Sequence, residues 1–232
     1  KQLSTEMSPI AVDLDLHFNY SLTERIYSQE HLDDLVDVYL AEMKDMFCFD
    51  ENTKFPIFLF EKSKVNRVQE KQITKDGIHM IIGVQMKHDV QEILRKNVIP
   101  KVQEIWGDFP IINTWNDVFD EGITKGYTNW QLYGSCKPQH EPYKLTHVYE
   151  ISYDEDDGEL INDRGNPSDY LTCEKFPMLS VRYPDHLNLL YKQSFLEKME
   201  NKSFDNKHFL PQSYWLGNDL RYFTIVSNIS NM

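Results

Sequence analysis

An α+β fold is predicted by three features of the 232-residue sequence. Residues 9–18 (PIAVDLDLHF) alternate strictly in polarity, the signature of a half-buried strand. Leu32, Leu35, Val36, Tyr39, Leu40, Met43, Met46 and Phe47 recur with a period near 3.6, as on the buried face of a helix. Beyond them, strand-like and helix-like segments alternate without the regular βαβ rhythm of a doubly wound sheet.

On the first strand Ile10, Val12, Leu14 and Leu16 share one face, while Ala11, Asp13, Asp15 and His17 share the other. Residues 55–60 (FPIFLF) read as a buried strand with Pro56 at its start, and 62–75 as a polar, basic hairpin or mobile loop. A third strand is expected at 77–83 (GIHMIIG), with Ile78, Met80 and Ile82 opposite His79. Residues 87–106 read as a helix broken or kinked near Pro100. A short helical stretch at 115–123 should lead into a strand at 129–133, followed by a strand at 144–151. The acidic, Asn/Asp/Gly-rich stretch 152–169 reads as a long loop, 176–181 (FPMLSV) as a last strand, and the tail from 183 as mixed helix and loop.

Composition narrows the function classes. Hydrophobic residues at 41% and charged residues at 26% fit a soluble globular protein with a sizeable core. The apolar runs are too short to span a bilayer, and the opening residues lack the apolar core of a signal peptide. A first residue of Lys suggests a piece of a longer chain. Cys48, Cys136 and Cys173 lie far apart with no metal-ligand spacing, so neither structural zinc nor a disulfide framework is expected, and a reducing intracellular compartment fits. The net charge of −13 argues against a simple nucleic-acid-binding module. An enzyme whose clustered carboxylates bind cations stays open, because bound metal supplies positive charge that a formal count omits.

Asp13-Leu14-Asp15 is the strongest local feature. Residues i and i+2 of a strand point the same way, so both carboxylates can grip one cation or bridge two. Left bare at about 4 Å they repel by about 4 kcal/mol at an effective dielectric of 20. The pattern is nevertheless common, and alone it reads more often as two carboxylates facing solvent on an edge strand. His79 alone is more often a hydrogen-bonded core histidine, and Lys75 a loop lysine. Residues 128–138 (TNWQLYGSCKP) place a Gly134-Ser135-Cys136-Lys137-Pro138 turn where Ser135 and Lys137 could meet phosphate oxygens, although the Walker A spacing is absent.

Taken in order, VDLDLHF, KDGIHMIIG, VFDEGI and NWQLYGSCKPQHEPYKLT, with FPMLSVRY further on, resemble the archaeo-eukaryotic primase superfamily. Within it the sequence is most similar to the primase domains of poxvirus-type helicase-primases of large DNA viruses. The resemblance runs from Ile10 to Tyr183, and GSCKP followed by YKLT is its most specific part. It implies an RRM-like catalytic half joined to an N-terminal α/β half around a cleft. The expected division is a primase domain over 1–182 and an extension over 183–232 packing on it.

By position the resemblance assigns Asp13, Asp15 and Asp120 to two Mg²⁺ or Mn²⁺ ions, with Asp117 and Glu121 as rivals for the third place. It assigns Lys75, His79, Ser135 and Lys137 to nucleotide and phosphate binding. Two departures stand out: Gly77 lacks the hydroxyl often found two residues before the histidine, and Thr128 and Gln131 stand where related enzymes often carry arginine.

The implied activity is two-metal nucleotidyl transfer by a DNA primase, with single-stranded template and nucleoside triphosphates as partners. A helicase, expected to be hexameric, would lie in the same full-length chain, and host cytoplasm would be the location if the protein is viral. The alternatives are a non-catalytic DNA-binding domain beside a helicase and a metal-dependent nuclease. The nuclease needs no triphosphate cradle.

Overall fold

The computed structural model describes residues 6–131, 133–138 and 140–205, with side chains as far as residue 200. Within them lies a six-stranded sheet in the order β1-β4-β2-β5-β6, with β3 beside β4 and every pairing antiparallel. The strands are β1 Met7–Asn19, β2 Lys54–Glu61, β3 Asn66–Val68, β4 Ile73–Lys87, β5 Lys144–Asp154 and β6 Glu159–Gly165. The longer helices are α1 Gln29–Met46 and α2 His88–Ile105, and two single-turn helices follow, α3 Trp115–Val118 and α4 Glu121–Thr124. The α+β expectation holds.

Each sheet face is buried for a different purpose. Val12, Leu14 and Leu16 of β1 join Ile57 and Leu59 of β2 and Ile78 and Met80 of β4 in a nearly solvent-free layer. There α1 docks through Tyr149 of β5, whose hydroxyl donates to Asp33 and accepts from Gln29. The opposite face gathers Ala11, Phe58, Phe60, Ile81, Leu145 and Val148 under Ile123, Trp130, Tyr170, Leu179 and Val181. Asp13 and Asp15, two and four residues after Ala11, sit on this second face at the margin of its apolar cover.

β4 outruns the predicted segment 77–83 because its polar start is neutralised by partners from other elements. Lys75 pairs with Asp15, and Asp76 with Arg25. α2 continues through Pro100, whose missing N–H falls on an exposed side of the helix.

Three expectations are corrected. The described residues of 129–133 form no strand, position 132 lying outside them: Trp130 makes an isolated bridge and buries its indole in the second-face core. The acidic stretch after 152 is not a loop but a hairpin, with β6 against β5 and residues 155–158 in its turn. The Asp154 side chain accepts from Asp156 N and its carbonyl from Gly158 N, where φ is 69°. β6 is polar because it is an edge strand, and edge strands are kept from further pairing by such residues. Residues 176–181 open with the 3-10 turn Phe176–Leu179 rather than a strand, since Pro177 cannot donate to a ladder.

A second compact unit comprises Asp45–Cys48 with the described residues from Leu190 onward. Within it Cys48 N donates to the Leu190 carbonyl, Lys192 N to that of Met46, and Phe47 and Phe195 each stack against Tyr191. Its helix α5 spans Gln193–Asp205, and the later part of the expected extension lies outside the described residues.

Glu61 marks where buried charge enters the fold. Burial raises its pKa, but His147, Thr146, Tyr27 and Arg25 together overcome that and hold it at about 2. A folded value depressed below the ordinary 4.5 means that the ionised group stabilises the fold fully above pH 4.5, a contribution lost as pH falls toward 2. Glu61→Gln should therefore flatten the acid limb of the stability curve between those values, read by chemical denaturation across pH. An unchanged slope would place the acid sensitivity elsewhere.

Candidate functional site

The site begins with the antiparallel register of β1 on β4. Asp13 lies opposite His79, Asp15 opposite Gly77 and His17 opposite Lys75. The Lys75 ammonium donates to Asp15 Oδ2 at 2.6 Å, His17 Nε2 lies 3.0 Å from the same oxygen, and His79 Nε2 lies 3.4 Å from Asp13 Oδ1. Burial lifts the Asp15 carboxyl, but Lys75 and then His17 outweigh it, leaving its pKa below the ordinary value. The repulsion expected of the bare pair is thus relieved by the protein's own cations.

Asp120 reaches the pair because β1 is an edge strand. Its free edge is covered by 112–120: Ile112 N donates to the His17 carbonyl, Asn113 bonds the backbone of Asp15 and His17, and Leu14 bridges Phe119. Asp120 N then donates to the Asp13 carbonyl at 2.9 Å, so two acids 107 positions apart become backbone neighbours. The carboxylate of Asp120 also caps α4, its Oδ1 accepting from Gly122 N and Ile123 N. Arg95 of α2, almost wholly buried, clamps the same segment by donating to the carbonyls of Asn116 and Phe119.

The rivals for the third acid are engaged differently. Asp117 forms a cap with Thr114, and Glu121 pairs with Lys125 one turn on. Asp15, Asp117, Asp120 and Glu121 line one open cleft of about 420 Å³ together with Arg95 and Asn116. That volume lies within the range of small-ligand sites.

His79 is 6% exposed, more deeply placed than a phosphate ligand needs to be. The Tyr143 ring stacks on its imidazole at 3.6 Å, and Trp130 lies 4.6 Å away. Gly77 explains how Tyr143 fits: a Cβ there would come within 2.5 Å of the Tyr143 hydroxyl. The space a side chain at 77 would fill is thus occupied by that hydroxyl. Burial raises the phenol pKa, and the charges of Asp13, Asp15 and Asp76 raise it further, so Tyr143 is a neutral donor and acceptor beside the acids.

Lys62 Nζ lies 4.8 Å from the Tyr143 ring centroid. Burial and the positive charge of Lys137 lower the Lys62 pKa, against an opposing pull from Asp13, Asp15 and Asp76. Lys62 and Lys137 therefore share the electrostatic surroundings of the acidic pair. Ser135 follows Gly134, whose φ is 74°, and its carbonyl accepts from the Gln131 side chain. Of the four residues expected to bind phosphate, Lys75 and His79 are the two whose ion pairs with the acidic strand are drawn directly by the β1–β4 register.

Sequence reasoning passed over Tyr143, Lys62 and a role for His17. His17 was signalled by its position on the acidic face. Tyr143 and Lys62 were not, because their relation to His79 arises from the β2–β5 pairing and not from spacing along the chain.

A divalent ion suits this donor set chemically, since three hard carboxylates lie on adjacent backbone segments. The protein's own bonds to them engage Oδ1 of Asp13, Oδ2 of Asp15 and Oδ1 of Asp120. As the side chains stand, however, no three His, Cys, Asp or Glu residues among those described group closely enough to hold an ion.

The sheet thus carries an acidic pair on one strand, a histidine facing it on the next and a third acid on the segment along its edge. A family model described as the C962R protein N-terminal AEP domain matches residues 2–149, and the chain belongs to this family of the archaeo-eukaryotic primase superfamily. No curated protein matches the chain. Among the described residues no helix is long and apolar enough to cross a membrane.

Proposed function

We propose that this domain is a catalytically active DNA primase that joins nucleoside triphosphates on a single-stranded template. The observation that carries the reading is the backbone bond from Asp120 to Asp13, which adds a distant acid to the strand pair. Asp13, Asp15 and Asp120 would hold two Mg²⁺ or Mn²⁺ ions. Such ions, when bound, lower the pKa of an attacking hydroxyl and neutralise charge on the departing pyrophosphate.

The chain's own groups position and neutralise. Lys75, once released from Asp15, would move its point charge to a phosphate oxygen of the incoming nucleotide. His79 would orient Asp13 in the resting site and meet a phosphate after Tyr143 shifts from its face. Ser135 and Lys137 would hold the triphosphate from the turn after Gly134. Phe119 and Leu14, by bridging, keep Asp120 in register with the pair.

A helicase elsewhere in a longer chain, a hexameric assembly and a viral cytoplasmic location belong to the same proposal. They rest on the family resemblance.

A second reading is favoured by one specific contact, the 2.6 Å ion pair that ties Asp15 to Lys75. In that reading the pair is permanently neutralised and the domain binds DNA beside a helicase without catalysis. Incubation with labelled nucleotide, single-stranded template and Mn²⁺ separates the two. Incorporation is expected; DNA binding without incorporation would leave the non-catalytic reading standing.

A further inference from the structure

The most cationic stretch of this acidic protein lies beside the acidic pair. Residues 62–75 carry Lys62, Lys64, Arg67, Lys71 and Lys75 against the single carboxylate Glu70, in a chain whose net charge is −13. The fold gives this run a defined shape. Asn66–Val68 pairs with Ile73–Lys75, and Lys71 lies in the 3-10 turn joining them.

The base of this hairpin joins the site. Lys75 pairs with Asp15, and Lys62 lies over Tyr143. A further cation comes from β5, where Lys144 pairs in register with Glu61, the residue before Lys62. The two segments are tied together because Ser63 Oγ donates to Glu141 Oε2 at 2.5 Å. The Ser63 bond and the charges of Lys64 and Lys144 hold the Glu141 carboxyl below its ordinary range, placing both lysines around one point.

Lys62, Lys64, Lys71 and Lys144 form no ion pair with any described residue, whereas Lys96, Lys101 and Lys125 each pair with a glutamate. A lysine that only keeps the protein soluble has no reason to collect with others of its sign, because like charges held near one another repel. Such a cluster becomes favourable when a polyanion neutralises it and releases its counterions.

We infer that the 62–75 hairpin, together with Lys144, is the docking track for the phosphodiester backbone of a single-stranded nucleic acid leading to the acidic pair. The cations are spread along the hairpin from its base to its turn, about 13 Å at the usual rise per strand residue. A repeating polyanion suits that spread better than one small anion gathered at a point. That the strand is a template rests on the primase reading; that the hairpin binds the strand does not.

The test is fluorescence anisotropy of a labelled single-stranded oligonucleotide with the 232-residue chain, over a salt series, without nucleotide or divalent metal. The variant combines Lys64→Gln, Lys71→Gln and Lys144→Gln, all exposed positions. A control removes equal charge elsewhere through Lys54→Gln, Lys96→Gln and Lys175→Gln, which are also exposed. Each phosphate left without its lysine lowers the slope of log K against log salt by about 0.7 on single strands. The hairpin variant should therefore fall by about 2 in slope and bind more weakly at every salt concentration, with the control close to the parent.

Equal weakening in both variants would reduce the effect to overall charge and overturn the assignment. So would an unchanged hairpin variant, or a parent chain that binds no single strand. Because no synthesis is measured, a catalytically silent domain passes or fails this test on the hairpin alone.

Discussion

On the proposed primase reading, Asp13→Asn and Asp15→Asn should each lower nucleotide incorporation by more than about a thousandfold while the protein keeps its fold. The size follows from charge. A carboxylate that holds a catalytic cation is worth several kcal/mol at the transition state, and about 4 kcal/mol corresponds to a thousandfold in rate. The fold survives because neither acid belongs to the core: the side chains of Asp13 and Asp15 remain 23% and 43% exposed. Asn at 15 leaves Lys75 with a neutral acceptor, and an exposed pair of this kind contributes less than about 1 kcal/mol. The measurement is primer synthesis with Mg²⁺ and with Mn²⁺, accompanied by thermal unfolding of each variant. Synthesis persisting in either folded variant would remove that residue from the catalytic set.

The largest expected effect on stability lies one strand-face away, at Arg25→Met. The Arg25 guanidinium donates to both carboxylate oxygens of Asp76, to Glu61 and to the Lys62 carbonyl. Asp76 and Glu61 are nearly fully buried, so removing the cation leaves two carboxylates of like charge in a poorly solvated place. Breaking a buried pair in this way costs about 3–5 kcal/mol, because the stranded charge keeps its desolvation penalty. Asp76 precedes Gly77, and Lys62 begins the basic hairpin, so the loss should also loosen the base of that hairpin. Denaturant unfolding at neutral pH reads the effect. Adding Asp76→Asn and Glu61→Gln should recover much of the loss, since no bare charge then remains. A single Arg25→Met variant as stable as the parent would show that solvent reaches these acids.

The α+β class was legible because β1, α1 and β2 each carry a clean period. The first acidic pair was legible for the same reason, as Asp13 and Asp15 fall on one side of a strand whose other side is wholly apolar. Asp120 could be placed only by resemblance, because its link to Asp13 is a backbone bond at a strand edge and backbone bonds leave no mark in a sequence. Segment 129–133 looked like a strand for its aromatics, yet Trp130 serves as a lid on the sheet. The β5–β6 hairpin was hidden by the polarity that protects an edge strand. Tyr143 was hidden by geometry: only when β5 pairs with β2 does its ring come to lie on His79.

The departure at Gly77 gains a physical account from the same stacking. A side chain at 77 and the Tyr143 hydroxyl compete for one place, and here the tyrosine fills it. Thr128 has a local role as well, its hydroxyl standing where a Cβ on Gly122 would strike it. Nothing in the structure explains the absence of a basic residue at Gln131 beyond its bond to the Ser135 carbonyl.

A crystal structure of the domain with Mn²⁺ and a non-hydrolysable nucleoside triphosphate bears most directly on the metal assignment, because anomalous scattering locates manganese independently of the protein. Peaks with oxygens of Asp13, Asp15 and Asp120 at about 2.2 Å, and Lys75 swung from Asp15 to a phosphate, are the expected result. A bound triphosphate with no manganese at these acids and the Lys75–Asp15 pair intact would contradict it.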